Sequence, residues 1–262
     1  MIPKRKNDII VSEKHPHLHL FDHDIKWHYL IIGTFPPNTA MRDQEKLYLD
    51  YFYGNKGFLW KIIHDIYKPL GYDFFKGNKH ENLSEIKRWQ IDYCVGLSDT
   101  ILATSRKFPL SSNDSDLINI QYNHSLKKYI LENASHLKKI LFTSSFGKNS
   151  AFENFKIIMG AEITSVYGKL VTGLPSPSGS ANITFFNTNK EETLGLTNDF
   201  YYYVVNRRPE LIKEFEIRWE QKKLKIHAKN KSSIVIPSTP KGLVKEYKIW
   251  RYKQVLPEKK CI

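Results

Sequence analysis

The 262-residue chain has only two cysteines, Cys94 and Cys261. Two thiols are too few for a disulfide framework, a four-thiolate zinc site or an iron–sulfur cluster. Cys261 stands next to last, which is not a prenylation box. No stretch approaches the roughly 18 apolar residues that a membrane helix needs. The opening "MIPKRKNDII" lacks the apolar core of a secretory leader, so export is not expected. Internal repeats and low-complexity segments are missing as well. These absences point to a soluble cytoplasmic protein with no membrane association, no cofactor and no obligatory protein partner.

What is present suits a folded chain. Hydrophobic residues make up 41% and aromatics 13%, ample for the core of one large domain or two small ones. The formal charge is +13, and it is unevenly placed: residues 206–262 hold 16 Lys/Arg against 6 Asp/Glu. A basic region attracts polyanions, because neutralising phosphates releases counterions. A solvated lysine-rich surface would show the same charge, so charge alone does not choose between them.

Apolar runs mark strands at 26–37 ("KWHYLIIGTFPP"), 91–100 ("IDYCVGLSDT", a short strand running into a loop), 137–145 ("LKKILFTSS") and 168–175 ("GKLVTGLP"). Helical spacing marks 57–71, where Phe58, Trp60, Ile62, Ile63, Ile66 and Tyr67 recur before a Pro/Gly stop. Further helices are expected at 116–134, at 147–160 ended by its glycine, along "RPELIKEFEIRWEQKKLKIHAKNK", and at 240–257; "SSIVIPSTP" reads as extended. Strands alternating with crossover helices predict an α/β fold, a three-layer α/β/α sandwich around a central, mainly parallel sheet. With no clear linker, residues 1–262 read as one domain with a basic insertion at about 190–240 before the terminal helix. In such sheets ligands sit outside the carboxyl ends of the strands. The loops "GTFPPNT" and "LPSPSGSAN" both follow strands, so both should face one cleft.

Three constellations can carry chemistry. "GTFPPNT" joins a glycine that permits close backbone approach to two rigid prolines. In "YFYGNKGFLW" three aromatics precede a polar turn, a stacking face beside groups that could read a heterocycle's edge. The serines and amides of "LPSPSGSAN" could bind phosphates. Each has a plain alternative: a strand-to-loop corner, an aromatic core cluster, a turn. The histidines at 15, 17, 19, 23 and 28 have no Cys or Glu among them at ligand spacing; they read as scattered surface residues, and no metal is expected.

Taken in order, "LIIGTFPP", "FYGNKGFLWKII", "IDYCVGLSDT", "ILFTSSFGKNSAFE" and "LPSPSGSAN" resemble the uracil-DNA glycosylase superfamily, nearest its mismatch-specific and hypoxanthine-type branches. The likeness spans about residues 27–186, and "LVKEYKIW" resembles the superfamily's last helix. It implies a monofunctional DNA glycosylase, with DNA as the partner, that flips out a base and hydrolyses its N-glycosidic bond. On that likeness Gly33, Thr34, Phe35 and Pro36 form the pocket floor, Phe52 stacks on the base, and Tyr53 and Asp99 border it. Lys56, Lys148 and the loop Ser176, Pro177, Ser178, Gly179, Ser180 and Asn182 would meet the DNA. The chain departs from the pattern at Phe35, where most members place the Asp or Asn that orients water. Asn55 is then the first candidate for the polar catalytic residue, with Asn38 and Asp43 as rivals. The implied substrate is either a deaminated base (uracil, hypoxanthine) or, as in anti-phage versions, a bulky modified pyrimidine. Gly54 and Gly57 and the basic insertion favour a roomy pocket. Phe35 also leaves open a catalytically inactive DNA-binding protein. A nucleotide- or sugar-modifying α/β enzyme would leave the basic end unexplained, and a lyase would need Lys56 as nucleophile.

Overall fold

The computed structural model describes residues 12–37, 47–108, 111–178, 198–228 and 240–261. The chain divides into two compact units, Met1–Ser178 with Val255–Ile262, and Gly179–Gln254.

The first unit is built on four parallel strands: β2 (Tyr29–Gly33), β3 (Val95–Asp99), β6 (Lys139–Phe142) and β7 (Leu170–Val171). Their spatial order is β3-β2-β6-β7, and Ile31 lies level with Leu97 on one side and Leu141 on the other. Continuous apolar runs such as Leu30-Ile31-Ile32 are what a strand covered on both faces requires. One face, carrying Leu30, Ile32, Ile140 and Phe142, packs on α3 (His124–Glu132) and α4 (Ala151–Met159) through Leu126, Ile130, Phe155 and Met159. The opposite face, with Ile31, Leu97 and Leu141, is equally buried. Gln90 of α2 (Lys79–Tyr93) holds this side, donating to the Val95 carbonyl and accepting from Tyr51. The neighbouring α1 (Phe58–Tyr67) adds Trp60, which meets Trp89 of α2 edge to face. The predicted α/β layering is the observed one.

Two stretches differ from expectation. The helix α2 went unforeseen, although Asn78 and Glu81 form a capping box at its start. Within 116–134 only the second half is helical; Leu117–Tyr122 forms β5. That strand pairs antiparallel with β4 (Ile101–Arg106), which pairs in turn with β1 (Glu13–Lys14) to make a second, three-stranded sheet. The reason is period: in "LINIQY" Ile118, Ile120 and Tyr122 are half-buried while Asn119 and Gln121 between them are exposed, the alternation of a one-sided strand. β4 follows β3 after a single residue, Thr100, whose N–H donates to the Gly33 carbonyl.

The second unit holds α5 (Asn198–Arg207), α6 (Pro209–Ala228) and α7 (Lys241–Lys253). Phe200, Val204, Leu211, Ile212, Phe215 and Leu243 form its core. Buried Glu246 lies 3.9 Å from Arg207 and 3.6 Å from Arg208. The predicted long helix and terminal helix are thus both present, whereas all of "SSIVIPSTP" but its last proline lies outside the described residues.

Candidate active site

Parallel strands deliver their following loops to one edge, and here three loops meet. Thr34, after β2, has its hydroxyl 3.0 Å from that of Ser144, after β6. The next residue, Ser145, accepts from the N–H of Gly173, after β7. The loops beginning "GTFPP" and "TGLPSPS" therefore converge on one serine pair.

At the end of β3, level with Gly33, stands Asp99. Its Oδ2 lies 2.7 Å from Nε2 of His15. The backbone N–H of His17 donates to His15 Nδ1 at 3.1 Å, so the ring's proton is on Nε2 and is donated to the carboxylate. Strand β1 makes this possible: it lies along β4, and His15 N donates to the Leu102 carbonyl directly after it. His15 and His17 are 8% and 6% exposed, which corrects the expectation of surface histidines. Burial, with His15 adding, keeps the His17 pKa below its ordinary value. Among the described residues, Oδ1 of Asp99 is buried with no hydrogen-bond partner. It sits over Gly33 beside the Tyr53 hydroxyl, so close that a methyl group on Gly33 would overlap both. Glycine is required there by the approach of those two groups.

Tyr53 has a left-handed backbone (φ 55°), uncommon for an aromatic residue. Its hydroxyl is 3.1 Å from Thr143 Oγ1, which itself contacts the Ile32 carbonyl. Phe52 is 1% exposed and enclosed by Tyr51, His15 and His17, so a base could stack on it only if one of those withdrew. Phe35 is also buried, among Ile101, Leu117 and the edge of His15. Arg106 fixes the loop by donating to the Pro36 carbonyl at 2.7 Å and pairing with Glu13. Asn55 is half-buried in the turn after Tyr53, its carbonyl accepting from Tyr48. Asn38 and Asp43 lie outside the described residues.

A second carboxylate escaped the sequence reading. Asp114 Oδ2 accepts from Thr34 Oγ1 at 2.9 Å. Burial, then the charge of Asp99, pushes its carboxyl up to about 6, against the pull of Thr34, Arg106 and Ser144. Of the expected DNA contacts, Lys56 and Lys148 are exposed, Ser176 Oγ accepts from Ser178 N, and Pro177 is buried. Gly179, Ser180 and Asn182 lie outside the described residues. Phe146, in the loop after β6, is 83% exposed, the most exposed large hydrophobic side chain among the described residues. Gly54 and Gly57 have backbone reasons of their own. A β-carbon on Gly54 would strike the Leu49 carbonyl, and Gly57 has φ 61° against the Tyr48 ring. They are therefore no evidence for a roomy pocket.

No protein-family model matches this chain, and no curated protein matches it. A solution NMR structure described as a "putative Uracil DNA glycosylase" from Methanosarcina acetivorans is similar at 25% identity, over 60% of this chain and 80% of that one, with a TM-score of 0.38. That superposition is too loose to transfer residue roles. Among the described residues no helix is long and apolar enough to cross a membrane.

Proposed function

We propose that this protein is a monofunctional DNA glycosylase that hydrolyses the bond between a base and its deoxyribose. The observation that carries the reading is Asp99: a carboxylate fixed by His15 at the carboxyl edge of the sheet, with one buried oxygen that has no hydrogen-bond partner among the described residues. An unsatisfied buried oxygen costs on the order of 1–3 kcal/mol, so its presence asks for a reason. Breaking an N-glycosidic bond supplies one. The sugar gains positive character as the base departs with the bonding electrons, and a fixed anion beside C1′ favours that charge distribution. Water then bonds to C1′ and passes a proton to Asp99 Oδ1, while the departing base takes its proton from solvent. Asp99 would thus perform the task that Phe35, turned into the core, does not. His15 is a positioning residue, and Asn55 would hold the edge of the base.

Access to Asp99 requires Tyr53 to move, and its left-handed backbone marks the turn that would open. Phe146 would enter the stack where the flipped nucleotide leaves, a part that the small residues after Ser178 do not fill. Lys148 and the 176–182 loop would hold the phosphates on either side. Because Gly54 and Gly57 serve the turn, they give no ground for a bulky modified pyrimidine, and the deaminated bases uracil and hypoxanthine are the substrates proposed.

The test is a set of end-labelled single strands and duplexes bearing uracil, hypoxanthine, a thymine mismatch or glucosylated hydroxymethylcytosine, scored for alkali-labile sites. The reading expects cleavage at uracil or hypoxanthine that is lost in Asp99→Asn. Salt-sensitive binding without cleavage of any substrate would replace it with an inactive DNA-binding protein.

A further inference from the structure

At the opposite, amino edge of the same sheet, three ligand-type side chains come together. We infer that His28, Cys94 and Cys261 form a site for a thiophilic divalent cation, Zn²⁺ above all, that fastens the chain's last residues to the sheet. His28 and Cys94 stand immediately before the neighbouring strands β2 and β3, and the N–H groups of His28 and Tyr29 both donate to the Cys94 carbonyl at 3.0 Å. The third ligand arrives from far along the chain. Cys261 N donates to the Asp92 carbonyl at 2.8 Å, Tyr67 donates to the Pro257 carbonyl, and Lys260 pairs with Asp92.

The donor atoms of the three side chains lie within 4.8 Å of one another, and His28 Nδ1 is 3.1 Å from Cys261 Sγ. Tetrahedral zinc, with bonds of about 2.3 Å to sulfur and 2.0–2.1 Å to nitrogen, sets sulfur–sulfur and sulfur–nitrogen distances of about 3.8 and 3.6 Å. The 3.1 Å of the His28–Cys261 pair and the 4.8 Å bound on the other two bracket those spacings, so small side-chain rotations reach them. One nitrogen and two sulfurs suit zinc better than magnesium or calcium, and water would complete the tetrahedron at this half-exposed position.

The backbone adds an independent sign. Cys94 ends α2 in the left-handed region (φ 49°), a position that glycine usually fills because a β-carbon there is strained. A side chain is kept where none would be easier, and it faces the other thiol.

Co²⁺ titration of the full-length, reduced protein tests the inference, since cobalt reports its ligands by colour. The expected result is one Co²⁺ per chain with a thiolate charge-transfer band and the intense visible bands of tetrahedral cobalt. Zn²⁺ should displace it and raise the melting temperature. Cys94→Gly, suited to the left-handed backbone, and Cys261→Ser, one residue from the end, should each remove much of the charge-transfer band while the protein stays folded. A weak octahedral spectrum, or a band unchanged in both variants, would overturn the site. Mild oxidation that removes two hydrogens by mass, undiminished by Zn²⁺, would assign the pair to a disulfide instead.

Discussion

Replacing Asp114 with Asn should stabilise the protein above pH 6 and remove a pH dependence that the native chain carries. The carboxyl of Asp114 sits at about 6 instead of its ordinary 3.8, chiefly because burial disfavours its anion. A raised pKa means that the folded protein prefers the protonated form. The stabilisation is therefore complete below the unfolded value and is lost as pH rises through about 6. A gap of about two units corresponds to roughly 3 kcal/mol at most, and partial exposure reduces it to about 1–3 kcal/mol. Asparagine keeps an oxygen for the Thr34 hydroxyl and carries no charge to desolvate or to oppose Asp99. Urea unfolding of both proteins from pH 4 to pH 8 measures the effect. Their difference is the useful quantity, because other carboxylates titrate equally in each. The variant should be the more stable at pH 8, and its advantage should shrink towards pH 4. A gap independent of pH, or a variant weaker at pH 8, would refute the burial argument and mean that the site favours the Asp114 anion.

Other consequences follow from the same geometry. His15→Ala should lower the single-turnover rate by about 10–100-fold with DNA affinity unchanged, and His15→Gln, which retains an N–H donor, should recover part of it. Gly33→Ala should cost about 1–3 kcal/mol in a denaturant melt, since the new methyl overlaps the Tyr53 hydroxyl and Asp99 Oδ1; an unaltered melt would place those groups elsewhere. Phe146→Ala should slow cleavage of a paired target base while sparing the same base in a single strand, as expected of a residue that supports extrusion. On the charge of residues 206–262 alone, replacing Lys222, Lys223 and Lys225 with Gln should weaken DNA binding and flatten its salt dependence by about one unit of slope for each phosphate no longer neutralised. Unchanged binding would remove the basic segment from the interface.

The parts of the fold legible in the sequence were those with strong periodicity. α1 shows helical spacing with Pro69 and Gly71 behind it, and β2 and β6 are unbroken apolar runs. α2 escaped because the face it buries includes Asn82 and Gln90, which no hydrophobic pattern marks. β5 was hidden by its junction with α3, where the period changes from two to 3.6 across Asn123 alone. At the candidate site, Gly33, Thr34, Tyr53 and Asp99 were named from the likeness to the uracil-DNA glycosylase superfamily, and Gly33 and Asp99 close adjacent parallel strands. Their partners were not. His15 reaches Asp99 only because β1 pairs with β4, and Asp114 reaches Thr34 only because of the second sheet, pairings that the local sequence does not encode. The amino-edge cluster was missed for the same reason: counting two cysteines took no account of a histidine 66 residues before Cys94, immediately before the adjacent strand.

The most direct measurement is the release of free base from uracil- or hypoxanthine-containing DNA in a single turnover, detected by mass and matched against the alkali-labile sites formed, with and without borohydride. The account predicts one free base for each abasic site, no covalent protein–DNA adduct, and a loss of about 10²–10⁴-fold in Asp99→Asn with binding retained. It would be contradicted by Asp99→Asn cleaving as fast as the native protein, by a borohydride-trapped adduct through Lys56, or by no base being released.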